Sequence, residues 1–374
     1  INQTAAGEAS VNQNAIVTQT GANAEATVIQ SNANNTATVT QEANSGGDAN
    51  VNQSGIMNTA TVGQTSAGSD ADVVQEGDRN RATLTQGRAA SNPSQTNGQQ
   101  ALLVQLGDDN TILASQSGSS GDLNVLQGGN NNEATVAQSG FDNSSGDNAN
   151  PALVGIDQSG NHNDAFVTQS GQLSDAFVSQ IGDFNTATIN QSITNAPNPS
   201  GGPDPRVATA TITQGGDRNQ STINQTGPGS DDISARLMTA TSTQNGSDNR
   251  STINQANSAL AASAASNTAT VTQSGDENQS LVGQDGLMLT ATVLQNGDEG
   301  RVTVAQSGSG SETTITQSGL GQIASTTQSG DDNMSTILQA GTGNSATVLQ
   351  TSDGNMSNID QNGTGNVASV TQGM

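Results

Sequence analysis

The chain has 374 residues, a formal net charge of −25, only 30% hydrophobic residues, four Phe, and no Trp, Tyr or Cys. So little large apolar material excludes a conventional globular core, and the absence of Cys excludes a disulfide framework or a thiolate metal site. With 33 acidic residues against eight basic ones, all Arg, nucleic acid and anionic membranes are poor partners, since each phosphate contact wants Lys or Arg. No apolar run approaches the roughly 18 residues of a membrane span, so membrane insertion is not expected. The chain opens directly on a polar repeat, and any signal peptide is expected to have been removed or omitted.

In chain order, residues 1–12 read as an irregular first turn: Glu8 takes the slot where a glutamine is expected, and Gln13 sits where later segments have Asn. A glutamine register then starts at Gln19 and runs through Gln30, Gln41, Gln53, Gln64, Gln75, Gln86, Gln105, Gln116, Gln127, Gln138, Gln158, Gln169, Gln180, Gln191, Gln214, Gln225, Gln244 and Gln255. It ends in a strict run, Gln273, Gln284, Gln295, Gln306, Gln317, Gln328, Gln339, Gln350, Gln361 and Gln372, spaced by eleven residues. Low hydrophobicity and high charge are also the signature of disorder, but a disordered chain has no reason to keep Val or Ile two residues before Gln. A fixed period marks a repeat architecture.

Six intervals exceed eleven residues (41–53, 86–105, 138–158, 191–214, 225–244 and 255–273), and each leads from an odd to an even segment, counted from Gln19. The repeat is therefore 22 residues long. The insertions near 87–98, 139–150, 192–206, 226–236 and 256–266 all emerge on one edge, as tolerated surface loops do. The other edge keeps its length and reads Gln-x-Gly-x-x-Asn, as in Gln75 to Asn80 and Gln214 to Asn219. There Gly supplies a positive φ, and Asn is expected to take the left-handed conformation at the end of the turn.

Between turns the segments alternate with period two, which signals strand. Asn185, Ala187, Ile189 and Gln191 share one face; Thr186, Thr188 and Asn190 share the other. Val and Ile are expected inside with Ala or Ser as small partners, and Thr, Asn and Asp outside. A meander of separate hairpins is marginal, whereas stacking the coils pairs every strand in parallel with its own equivalent. The predicted fold is all-β: a single repeat domain over 1–374, with repeats over 13–374, forming a β-solenoid of about 15 stacked strand-turn-strand coils. Two parallel sheets face each other in a cross-β rod about 70 Å long.

In that stack the glutamines from Gln30 to Gln372 form two ladders. Asn35, Asn58, Asn80, Asn110, Asn132, Asn163, Asn185, Asn219, Asn249, Asn278, Asn344 and Asn366 form another, interrupted at Gly300 and Gln322. Side-chain amides that donate and accept along the axis satisfy buried polar groups, each of which otherwise costs about 1–3 kcal/mol. No catalytic, cofactor or metal residues are predicted. His162 reads as a solvated turn residue, and the paired acids Asp108-Asp109, Asp276-Glu277 and Asp298-Glu299 lack the glycine-aspartate spacing of calcium-binding β-rolls. The pairs Thr38/Thr40, Thr83/Thr85, Thr211/Thr213, Thr270/Thr272 and Thr314/Thr316 fall on odd and even segments alike, so neither face is expected to carry the unbroken threonine array of an ice-binding solenoid. The final segment, Asn366 to Gln372, matches an interior coil, and an uncapped strand is a template for pairing.

The repeated Gln-x-Gly-x-x-Asn-x-Ala-x-Val-x-Gln pattern, carried closely by Gln180 to Gln191, resembles curlin, the major subunit of bacterial curli fibres. The resemblance implies a non-enzymatic, secreted functional amyloid: a homopolymer of the biofilm matrix that supports adhesion. It further implies export through an outer-membrane channel and nucleation at the cell surface by a minor subunit. The family's stacking roles fall on the Gln series and on the Asn series above, and the turn Asp and Gly residues look like the gatekeepers that restrain premature assembly. The alternative is a monomeric surface solenoid, either an adhesin or an ice binder.

Overall fold

The computed structural model describes residues 2–4, 12–42, 46–87, 98–119, 121–141, 155–172, 174–194, 208–228, 236–257 and 265–373. Most of the insertions near 87–98, 139–150, 192–206, 226–236 and 256–266, and most of the irregular opening, lie outside the described residues. The chain divides into two compact units, Ile1–Phe184 and Asn185–Met374.

In the first unit the odd sheet is β1 (Asn2–Thr4), β3 (Glu25–Ser31), β5 (Asp48–Ser54), β7 (Asp70–Glu76), β9 (Gln100–Gln105), β11 (Asp122–Gln127), β13 (Ile156–Gln158) and β15 (Ser174–Gln180). The even sheet is β2 (Asn14–Gln19), β4 (Thr36–Gln41), β6 (Thr59–Gln64), β8 (Arg81–Gly87), β10 (Thr111–Ser119), β12 (Glu133–Phe141) and β14 (Asp164–Gln172). In the second unit the even sheet is β16 (Thr186–Thr194), β18 (Gln220–Pro228), β20 (Arg250–Ala256), β22 (Gln279–Leu287), β24 (Arg301–Ser309), β26 (Ile323–Gln328), β28 (Ser345–Gln350) and β30 (Val367–Gln372). Its odd sheet is β17 (Ala208–Gln214), β19 (Arg236–Asn245), β21 (Ala265–Ser274), β23 (Thr290–Asp298), β25 (Glu312–Leu320), β27 (Met334–Thr342) and β29 (Met356–Thr364).

Within each unit a strand pairs in parallel with the strand two ahead, so successive coils lie in register: Gln53 against Gln75, Val51 against Val73, Ala49 against Ala71. The fold is thus an all-β parallel solenoid of open sheets. The alternation read from the sequence is physical. In β17, Ala208, Ala210, Ile212 and Gln214 are buried, while Thr209, Thr211 and Thr213 face out. A buried Val or Ile contributes about 1.5–3 kcal/mol, and Ala contributes less, so the amides that flank this thin apolar strip must not cost stability.

Three details depart from expectation. Thr313 and Thr326 are fully buried in Ala and Val positions; the Thr313 hydroxyl donates to Gln328 Oε1 at 2.8 Å, and Thr326 Oγ lies 3.2 Å from Ser335 Oγ, so both polar tips find partners. Gln3, rather than position 8, continues the glutamine register, paired with Gln30. And in the length-invariant turn the left-handed residue is the one before the Asn position, not Asn itself: Arg79, Asp109, His162, Phe184, Arg218, Asp248, Glu277 and, before Gly300, Glu299 all have φ between 55° and 60°. Gly321, Gly343 and Gly365 hold that position in later coils. The first turn glycine is required on two counts: Gly341 has φ 104°, and a Cβ there would run into the carbonyl oxygen of Gly363 in the next coil.

Candidate assembly interface

Each glutamine stands at or near the end of its strand, and in the interior coils its side chain is buried beside the strip of Val and Ile. In the first unit Nε2–H donates to Oε1 of the next rung along Gln30, Gln53, Gln75, Gln105, Gln127, Gln158 and Gln180. A second ladder runs along Gln19, Gln41, Gln64, Gln86, Gln116, Gln138 and Gln169. In the second unit the ladders are Gln214, Gln244, Gln273, Gln295, Gln317, Gln339 and Gln361, and Gln191, Gln225, Gln255, Gln284, Gln306, Gln328, Gln350 and Gln372. These rungs are 2.8 to 3.0 Å long, and every donor lies in the lower-numbered coil.

The remaining amide proton crosses to the other sheet. Gln53 donates to the carbonyl of Thr36 at 3.0 Å, Gln273 to that of Arg250 at 3.0 Å and Gln339 to that of Ile323 at 3.0 Å. One carboxamide therefore ties a coil to its neighbour and one sheet to the other. Because both protons and the oxygen are used, the amide is buried without an unsatisfied group, and each rung adds about 1 kcal/mol net.

The asparagines are stacked but bond differently from the glutamines. Asn, one methylene shorter and placed at a strand start, reaches main chain instead of the amide above it. Asn58 Oδ1 accepts the N–H of Asn80 at 2.8 Å, and Asn58 Nδ2 donates to the carbonyl of Gly77 at 2.7 Å. The same pair of bonds links Asn35 to Asn58 and Gly55, Asn80 to Asn110 and Gly107, Asn110 to Asn132 and Gly129, and Asn132 to Asn163 and Gly160. Asn163 donates to Gly182. In the second unit Asn185 joins Asn219 and Gly216, Asn219 joins Asn249 and Gly246, and Asn249 joins Asn278 and Gly275. Asn278 joins the N–H of Gly300 and the carbonyl of Gly297, and Asn344 joins Asn366 and Gly363. Where the series is interrupted, Gln322 still donates to Gly341, at 3.0 Å.

Three residues outside the predicted series also link coils on the odd sheet. Asn267 donates to the carbonyl of Gly286 and accepts the N–H of Leu289, and Asn333 Oδ1 accepts both the main-chain N–H and the side-chain N–H of Asn355. Each stands six residues before a glutamine, as Asn185 does before Gln191, so the signal was present.

The turn acids cap main chain as well. Asp108 accepts the N–H of Asp78, Asp298 that of Asp276, and Asp353 that of Asp331, at 2.8 to 2.9 Å. Arg79 makes a two-pronged contact with Asp109, and Arg218 with Asp248, and these hydrogen bonds hold both carboxyls below the usual range. Burial, reinforced by Asp48 and Asp72, pushes the Asp70 carboxyl up; burial, reinforced by Glu133, does the same to Asp164. His162 stacks on Phe184 with ring centroids 4.6 Å apart. Among the described residues no three His, Asp or Glu side chains converge as a metal site.

The threonine expectation needs correcting. On the outer face of the second unit's odd sheet, Thr209, Thr239, Thr268 and Thr290 stand in one column. Thr211, Thr241, Thr270, Thr292, Thr314 and Thr336 stand in a second, and Thr213, Thr243 and Thr272 in a third. Counting Thr-x-Thr pairs over both kinds of segment hid an array that register across one sheet assembles.

No curated protein matches the chain. The curlin associated repeat matches residues 129–171, 149–182, 264–297, 289–319, 324–351 and 330–363, segments whose strands supply rungs to all four glutamine ladders. Over residues 129–182, 264–319 and 324–363 the chain is thus similar to the curlin associated repeat.

Proposed function

We propose that the protein is a secreted structural subunit that adds end to end into curli-like amyloid fibres of the biofilm matrix and supports adhesion there. The observation that carries this reading is the common polarity of the glutamine ladders. A ladder whose donors all lie in the lower-numbered coil offers an amide proton at one end and a carbonyl oxygen at the other. Gln372 accepts from Gln350 and donates to the carbonyl of Met356, which leaves its second N–H for a further acceptor. The Oε1 of Gln19 in a second copy supplies one, and β30 set in parallel on β2 then brings Ala368 onto Ala15, Val370 onto Val17 and Thr371 onto Thr18. This is the register that the interior coils use. The contact is head to tail and so propagates as a filament.

Export through an outer-membrane channel and nucleation by a minor subunit belong to the same reading, on the strength of the family. A structural role suits side chains whose amides and carboxylates are spent on one another and on main chain. Electron microscopy of the purified protein after quiescent incubation, with fibre diffraction, is the test: filaments with a meridional reflection near about 4.8 Å are expected. Particles that stay soluble and never elongate would sink it.

A further inference from the structure

Three hydroxyls meet in the apolar strip of the second unit without bonding to the protein. Ser221 on β18, Ser242 on β19 and Ser251 on β20 are 0 to 1% exposed, and none of their Oγ atoms has a hydrogen-bond partner among the described residues. The fold brings them together. Gln244 of β19 donates to the carbonyl of Gln220 on β18 at 3.1 Å, and Gln255 of β20 donates to that of Thr239 on β19 at 3.0 Å, so β19 lies across the core from both even strands. Ser242 stands two residues before its glutamine, and Ser221 and Ser251 stand four before theirs. These two positions meet across the core: with the sheets exchanged, they are the positions of Thr326 and Ser335, whose hydroxyls lie 3.2 Å apart.

We propose that one water molecule is bound in the core between Ser221, Ser242 and Ser251 and ties the even sheet to the odd sheet there. The Thr326 pair gives the size of the site. Thr326 fills its position with a hydroxyl and a methyl, and its hydroxyl reaches Ser335 directly. Ser242 has the hydroxyl without the methyl, in a column whose neighbours are the larger Ile212 and Val271. It is one heavy atom smaller than Thr, and a water is one heavy atom. The chemistry fits as well as the size. A buried water typically takes about three hydrogen-bond partners, and each serine hydroxyl either donates or accepts. Three uncharged hydroxyls around so small a space suit water rather than an ion or an organic ligand. Ser280, next in the column after Ser251, also lacks a partner. It lies between β21 and β23, opposite Val271 and Val293, where no atom is missing, and no second water is placed there.

The test counts long-lived internal waters in the freshly purified, unassembled full chain by magnetic relaxation dispersion of the water oxygen. Ser242→Thr supplies the methyl that Thr326 has. Ser221→Ala/Ser251→Ala removes two partners while widening the space. Each is expected to lower the count by about one water per chain, since a buried water needs at least about two polar partners and room for itself. Ser280→Ala is expected to leave the count unchanged. The alanine pair separates polarity from crowding: it adds room, so only the loss of partners expels the water. Amide exchange over Arg236–Asn245 reports whether the strands are kept. Should Ser242→Thr disturb them, Ser242→Val, which copies Val271 of the same column, is expected to give the same fall. A count left unchanged by the Ser242 substitution or by the alanine pair overturns the proposal, and so does an equal fall in Ser280→Ala.

Discussion

Replacing Gln295 by Leu isolates what a rung is worth. Gln295 is completely buried; it accepts from Gln273 at 2.9 Å, donates to Gln317 at 3.0 Å and donates to the carbonyl of Gln279 at 3.3 Å. Leu has similar bulk but strands three groups: a proton on Gln273, the oxygen of Gln317 and a backbone carbonyl. At about 1–3 kcal/mol per unsatisfied group the loss is roughly 3–9 kcal/mol, of which the added apolar burial returns about 1.5–3. The net cost is about 1.5–6 kcal/mol. Asn296, one residue on in the same strand, is exposed, and Asn296→Leu is expected to stay within about 0.5 kcal/mol. Because a stacked repeat is stabilised between nearest neighbours, the assay is native-state amide exchange. The amides of Thr290–Asp298 and Glu312–Leu320 are expected to exchange about 10- to 20,000-fold faster in Gln295→Leu, with the strand at Met356–Thr364 little changed. Equal acceleration by the two substitutions would refute the reasoning, since the exposed Asn296 amide carries no rung.

Period and alternation were legible because they are recorded in every copy: a residue type that returns every eleven positions with Val or Ile two before it can only be read as inward-facing and stacked. What a single sequence does not record is which atom bonds which. Gln and Asn are the same carboxamide, and one methylene together with a place at the strand start turns an amide ladder into a main-chain bridge, as Asn58 shows between Asn80 and Gly77. The left-handed turn residue was misplaced for a related reason. Asn tolerates that conformation, but it is needed in a strand-like one so that its side chain spans two coils, and the cost falls on Phe184 or Glu299 instead. Asn267, Asn333 and Asn355 escaped because equivalent positions on that edge hold Ser69, Gln99, Ser174, Leu289 or Ser311, which dilutes the pattern. The buried Thr313 and Thr326 break an inside-outside rule that holds elsewhere, and only their partners explain why the hydroxyls are tolerated.

The turn supplies two further predictions and the acids a third. Gly341→Ala forces a Cβ against the Gly363 carbonyl at a φ of 104°, and a loss of about 1–3 kcal/mol in denaturant stability is expected. Glu299→Gly relieves a left-handed non-glycine residue at φ 59° where the next coil already has Gly321, and a gain of up to about 1 kcal/mol is expected by the same measurement. The pH dependence separates two kinds of acid. Asp70 and Asp164 have raised carboxyls, chiefly through burial. The folded chain binds their protons more tightly than the unfolded chain does, so stability rises as pH falls through the folded values toward the ordinary 3.8. Asp109 and Asp248 are lowered, chiefly by their Arg hydrogen bonds. Their contribution is present above the ordinary value and is lost only as pH falls through the folded values below it. Acidification from neutral is therefore expected first to stabilise and then to destabilise, giving a maximum on the acid side. Urea midpoints across that range check it. In Asp70→Asn/Asp164→Asn the initial rise should shrink while the later fall remains, and midpoints that moved in parallel with those of the unaltered chain would show that the two raised carboxyls are not its source.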